Sequence, residues 1–116
     1  MTELDFTCRV ARTLYDYSDK KYMNLLLDAE TASQINRVQF SRVDINPLIE
    51  NVLKVKVPFR YRKIDFPVRG DKTLYELEDG DEVRVKIKCC GVWKVDDLSG
   101  YAWKFVLLEC HKHGGG

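Results

Sequence analysis

The feature that most constrains this chain is a long run of strict alternation in its second half. Val83, Val85, Ile87, Cys89, Gly91, Trp93 and Val95 share one parity, and Arg84, Lys86, Lys88, Cys90, Val92 and Lys94 take the other. Successive side chains of a strand point to opposite faces, so a period of two over this length predicts a half-buried strand with one basic face. A helix would scatter the same residues around its axis. Leu4, Phe6, Cys8 and Val10 alternate in the same way with Asp5, Thr7 and Arg9, which predicts a strand over residues 3–15. Met23, Leu25 and Leu27 mark another over residues 22–29, and the polar stretch 16–21 between them supplies a hairpin turn.

Residues 31–43 fit a strand or a helical turn, and the alternation of Val38 and Phe40 favours the strand. Asn46-Pro47 reads as an N-cap followed by proline at the first helical position, with Ile45, Leu48, Ile49 and Val52 at helical spacing, so the one short helix is expected to end near Leu53. Val55, Val57, Phe59 and Tyr61 form the next apolar row, opposed by Lys54, Lys56, Pro58, Arg60 and Arg62. The interior proline marks an edge or a bulge, where a second copy could pair to give a homodimer. After a turn at residues 96–100, the last strand spans about residues 101–110 and is apolar on both faces toward its end, as a central strand would be. Residues 111–116 are expected to be a disordered tail, leaving a single β-rich domain over 1–110.

Composition is that of an ordinary folding domain, at 116 residues, 45% hydrophobic and 32% charged. The start of the chain lacks the basic and apolar regions of a signal peptide, and no apolar run is long enough to span a membrane, so an intracellular address, cytoplasmic or nuclear, is expected. In a reducing compartment Cys8, Cys89, Cys90 and Cys110 read as free and mostly buried. Basic and acidic side chains nearly balance, 19 against 18, but they are segregated. Residues 54–69 hold Lys54, Lys56, Arg60, Arg62, Lys63 and Arg69 against Asp65 alone; residues 84–94 hold four cations and no acid; Asp71, Glu76, Glu78, Asp79, Asp81 and Glu82 lie between.

Two basic strands and two aromatic-flanked turns supply phosphate neutralisation and base stacking together. The candidate contacts are Tyr17, Lys20, Lys21, Lys54, Lys56, Arg60, Arg62, Arg84, Lys86, Lys88, Trp93, Lys94, Tyr101, Trp103 and Lys104. The competing reading makes the cations a solvated sheet face and both tryptophans core. A metal site from Cys89, Cys90, Cys110, His111 and His113 is disfavoured, because adjacent cysteines cannot easily turn both thiolates to one ion. The histidines lie only in the tail and no glycine-rich phosphate loop is present, so neither catalysis nor a cofactor is expected.

A strand pair, a further strand, a short helix and a closing hairpin together suggest a mainly β, OB-like small barrel of five to six strands, with the Tyr17 turn and the 96–100 turn at its two usual oligonucleotide-binding loops. The stretch Leu77–Lys86, then Cys90-Gly91-Val92-Trp93 and Tyr101-Ala102-Trp103-Lys104-Phe105-Val106, resembles the C-terminal half of small phage and viral single-stranded DNA-binding proteins. The resemblance implies sequence-tolerant binding of single-stranded DNA, or RNA, exposed in replication or recombination. The rival expectation is a protein-binding module, a small inhibitor or adaptor steered by its segregated charges to a charged partner protein.

Overall fold

A computed structural model describes residues 2–111. Strands β1 (Glu3–Tyr17) and β2 (Lys20–Leu26) form a hairpin, followed by helix α1 (Ala29–Val38). Next come the hairpins β3 (Leu48–Ile49) with β4 (Val52–Lys56) and β5 (Phe59–Arg60) with β6 (Lys63–Ile64). Strand β7 (Val68–Gly70), a single 3-10 turn at Leu74–Glu76, and the long pair β8 (Glu82–Val95) and β9 (Leu98–Cys110) complete the chain.

The order β1-β2-β4-β9-β8 closes on itself, because β8 returns to β1 and β4 meets β9 at Lys56 and Lys104. Strand directions cannot alternate all the way round a ring of five, so one neighbouring pair must be parallel, and that pair is β4–β9. The protein is thus a mainly β, OB-like closed barrel, as expected, with β3 and β7 as added edge strands.

Inward positions fill the interior: Val10, Met23, Leu25, Leu53, Val55, Val83, Val85, Ile87, Trp103, Phe105 and Leu108 are all buried. Phe66 stacks on Phe105, ring centroids 5.4 Å apart, and fastens the segment before β7 to the wall. Each of these side chains contributes roughly 1.5–3 kcal/mol of burial, so the alternating strands carry the fold. Cys8, Cys89 and Cys110 are buried free thiols; Cys90 is exposed at a bulge in β8.

The helix lies elsewhere than the sequence reading places it. Residues 29–38, overlapping the 31–43 segment read as strand, form α1, because Asp28 caps it by accepting the Thr31 N–H at 2.7 Å and Thr31, Ala32 and Ile35 fall on one buried face. Phe40, which suggested the strand, lies beyond the helix and is exposed. The expected helix at 46–53 is instead the β3–β4 hairpin. The Asn46 side chain does accept the Leu48 N–H at 2.9 Å, but that makes a local turn into β3, and Glu50-Asn51 then reverses the chain with both φ positive. The row continued to Tyr61 also breaks: after Val57 the chain leaves the barrel, and Tyr61 is 85% exposed at the tip of the β5–β6 hairpin. Of the expected tail, His111 is exposed and residues 112–116 lie outside the described residues. No helix among the described residues is long and apolar enough to cross a membrane.

Candidate nucleic-acid interface

Two register shifts in β1 create the most distinctive surface of the molecule. Val10 faces Leu25, Arg12 faces Asn24 and Tyr15 faces Tyr22, so β1 carries one extra residue in each interval. Bulges of this kind bend a strand and re-aim its side chains. Here they bring Arg12, Tyr15 and Tyr17 to the same outward face although their parities differ. Tyr22 and Asn24 of β2 and Lys54 and Lys56 of β4 share that face, because the residues alternating with them, Met23, Leu25, Leu53 and Val55, point into the barrel.

The rings meet there. Tyr15 and Tyr22 lie 6.0 Å apart and tilted; Tyr17 meets Tyr22 edge to face at 6.3 Å. The Arg12 guanidinium lies 3.8 Å from the Tyr15 ring centre, and the Lys54 ammonium sits 4.8 Å from that of Tyr22 and 5.2 Å from that of Tyr17. The cations are thereby held on the ring faces. The Tyr15 hydroxyl donates to Asn24 Oδ1 at 2.7 Å, and burial raises the pKa of both Tyr15 and Tyr22, which keeps them neutral donors. Lys56 adjoins Lys104 across the barrel closure, extending the cationic surface.

Strand β4 runs antiparallel to β2, so its end lies at the β1–β2 tip, and the β5–β6 hairpin leaves from there. The Val57 N–H donates to the Lys21 carbonyl at 2.8 Å, while the Lys21 ammonium pairs with Asp16 and lies 5.3 Å from the Phe59 ring. Lys20, Arg60, Arg62 and Lys63 are exposed around this end. Tyr17, Lys20, Lys21, Lys54, Lys56, Arg60, Arg62 and Lys104 of the sequence-derived set therefore gather at or beside one face.

Of the remaining candidates only Lys88, opposite Lys104 on β9, borders that face. Trp103 is 1% exposed, its indole N–H donating to Gln39 Oε1 at 2.8 Å, and Tyr101 is 6% exposed, its hydroxyl accepting the Ser41 N–H at 2.9 Å; both are core, so neither can stack on a base. Trp93 is half-buried against Gly100, where an added Cβ would lie 2.5 Å from its ring. On β8, Arg84 is paired with Asp5 at 3.0 Å, which raises its pKa, and Lys86 and Lys88 lie across from Asp5 and Glu3. An acid of β1 thus neutralises Arg84 on the basic face of β8, a pairing that the β8 sequence alone could not reveal. Lys94 stands on the β8–β9 arm beside Val92, Val95 and Leu98, all exposed, with Asp96 and Asp97 at the turn.

Sequence reading noticed Tyr15 and Tyr22 among the aromatics around the first turn without choosing them as contacts, and missed Arg12. The signal was available in three tyrosines within eight residues of a hairpin turn, but assigning them a face required the bulges.

An open cleft of about 350 Å³ elsewhere, beside the start of α1, is lined by Thr7, Cys8, Arg9, Leu26, Leu27, Asp28 and Glu82. Burial pushes the Cys8 thiol up to about 12, the reverse of an activated nucleophile. Among the described residues no three His, Cys, Asp or Glu side chains converge to hold a metal ion.

The class defined by this geometry is an OB-like barrel with an aromatic, cationic outer face on its first three barrel strands. Comparison with protein-family models, with curated proteins and with solved structures returns no match to this chain.

Proposed function

We propose that the protein binds single-stranded DNA with little sequence preference and without catalysing a reaction, in replication or recombination where such strands are exposed. The observation that carries this reading is the cluster of Tyr15, Tyr17 and Tyr22 with Arg12 and Lys54 seated on their rings. It lies on the strand face and at the first hairpin loop that OB-type barrels use for oligonucleotides. Rings offer stacking to any base, whereas a duplex covers its base faces with neighbouring pairs, so the surface favours unpaired strands. Lys54, Lys56, Lys104 and Lys20 supply phosphate neutralisation around it.

Fluorescence anisotropy with labelled single-stranded DNA, duplex DNA and single-stranded RNA, at low and physiological salt, tests the reading. Binding that favours single strands and weakens with salt by about 0.7 in log–log slope per neutralised phosphate supports it. Absence of binding at low salt overturns it. One surface favours a second reading, a protein-binding module: Val95 and Leu98, paired across the tip of the β8–β9 arm and both exposed, form an apolar end beside Asp96 and Asp97.

A further inference from the structure

Three hairpins of this protein turn through two residues in the left-handed region: Ser18-Asp19 (φ 49° and 64°), Glu50-Asn51 (50° and 66°) and Tyr61-Arg62 (52° and 64°). Such turns match the twist of the flanking strands but suit Asn, Asp and Gly, whose side chains tolerate that backbone. The first two place Asp or Asn at the second position. The third has neither, and puts an aromatic ring and a guanidinium where Asn-Gly would be favoured. Backbone strain of this kind persists where the side chains are used for something else.

The β5–β6 hairpin also stands apart from the barrel. Its strands pair only with each other, Phe59 with Ile64 and Arg60 with Lys63, in a two-stranded sheet of their own. Its base is fixed by the Asp65 N–H donating to the Pro58 carbonyl at 2.8 Å and by half-buried Phe59 and Ile64 packed on the core. From there Arg60, Tyr61, Arg62 and Lys63 all project into solvent, with the Arg60 guanidinium 5.3 Å from the Tyr61 ring centre. No acid lies between Phe59 and Ile64. The hairpin leaves the barrel next to Lys21, at the end that carries the tyrosine cluster.

We propose that this hairpin is a second nucleic-acid-binding element, a finger that extends the track of the β2–β4 face: Tyr61 stacks on a base beyond those held by the tyrosine cluster, and Arg60, Arg62 and Lys63 neutralise the flanking phosphates. The inference rests on the single-strand reading above and adds a length requirement to it. An oligonucleotide long enough to run from the face to the finger gains the Tyr61 stack, and a very short one does not.

The test uses the full chain and an oligothymidylate length series, from three to twelve nucleotides, against the wild type, Tyr61→Trp and the double substitution Tyr61→Asn with Arg62→Gly. The double substitution installs the favoured turn, so its thermal midpoint should rise rather than fall. Its affinity for the longest oligonucleotide should fall by at least the roughly 5- to 150-fold of one lost base stack, the Arg62 phosphate contact being lost with it, while affinity for the trinucleotide stays close to the wild-type value. Tyr61→Trp should retain long-oligonucleotide binding. If the wild type binds and the Asn-Gly variant binds the longest oligonucleotide equally well, the finger proposal is overturned and the single-strand reading survives. If the wild type binds no member of the series at low salt, both fall.

Discussion

The β1–β2 and β8–β9 hairpins are built alike and dressed differently. Each continues a pair of barrel strands beyond the wall, and because β1 and β8 are antiparallel the two arms leave opposite ends of a molecule 50 Å long. Each contains a bulge near the wall. On the first arm the outward positions hold Tyr15, Tyr17, Lys20 and Tyr22, and the next strand adds Lys54. On the second they hold aliphatic side chains and an acidic turn, and a loop ties the arm down: the Asp44 carboxylate accepts the Ser99 N–H at 2.9 Å and its hydroxyl at 3.1 Å, while the Ser99 carbonyl accepts the N–H groups of Asp44 and Ile45. The barrel thus provides two loops in the positions OB-type folds use, and side-chain chemistry equips only one of them for a polyanion.

The largest effect that separates the arms is stacking. Tyr17→Ala removes a ring that is 60% exposed, so it should leave the fold intact and weaken oligonucleotide affinity by about 5- to 150-fold, whereas Leu98→Ser on the other arm should leave it unchanged. Anisotropy titrations of both variants check this, and equal losses would break the distinction. The reverse asymmetry is expected in stability. Gly100→Ala drives a methyl group into the Trp93 ring and the Ile45 carbonyl, 2.5 and 2.9 Å away, and should destabilise the protein by ~1–3 kcal/mol in urea unfolding while the folded fraction binds normally.

Charge sharpens the comparison further. Lys54→Gln should lower the salt slope of binding by about 0.7, one phosphate's share for a single strand, while Arg84→Gln, whose guanidinium Asp5 already pairs, should leave the slope unaltered. A final effect, absent at neutral pH, belongs to the barrel that both arms share. The Cys8 thiol titrates at 9.0 when solvated and at about 12 when buried, so the unfolded chain releases its proton first. The stability this residue contributes is fully present below pH 9 and is lost as pH rises from there toward 12. Urea midpoints measured across that window should fall less steeply in Cys8→Ala.

How much of this was legible beforehand follows from what each signal depends on. The barrel strands were readable because Met23, Leu25 and Leu27, or Val83, Val85 and Ile87, alternate without interruption, and alternation is a property of one strand alone. The helix was misplaced because Asp28 and Thr31, a sound cap, compete with an alternation that runs only through Val38 and Phe40, while Asn46-Pro47 imitates a cap in a turn. Among the site residues, Tyr17 and Lys54 follow from their nearness to a turn and from their parity. The apolar parity of Trp103 already favoured the core, whereas Tyr101, beside a turn, read as a stacking ring, and the partners of their polar atoms, Gln39 and Ser41, lie some sixty positions away. The neutralisation of Arg84 by Asp5, 79 positions apart, depends likewise on pairing that no local pattern encodes.

The most direct test of the central claim is residue-resolved: amide chemical-shift changes in the labelled protein on addition of an oligothymidylate. The account predicts changes concentrated in residues 12–24 and 52–64, with residues 91–100 silent. Changes centred on the β8–β9 arm, or none at saturating oligonucleotide, would contradict it.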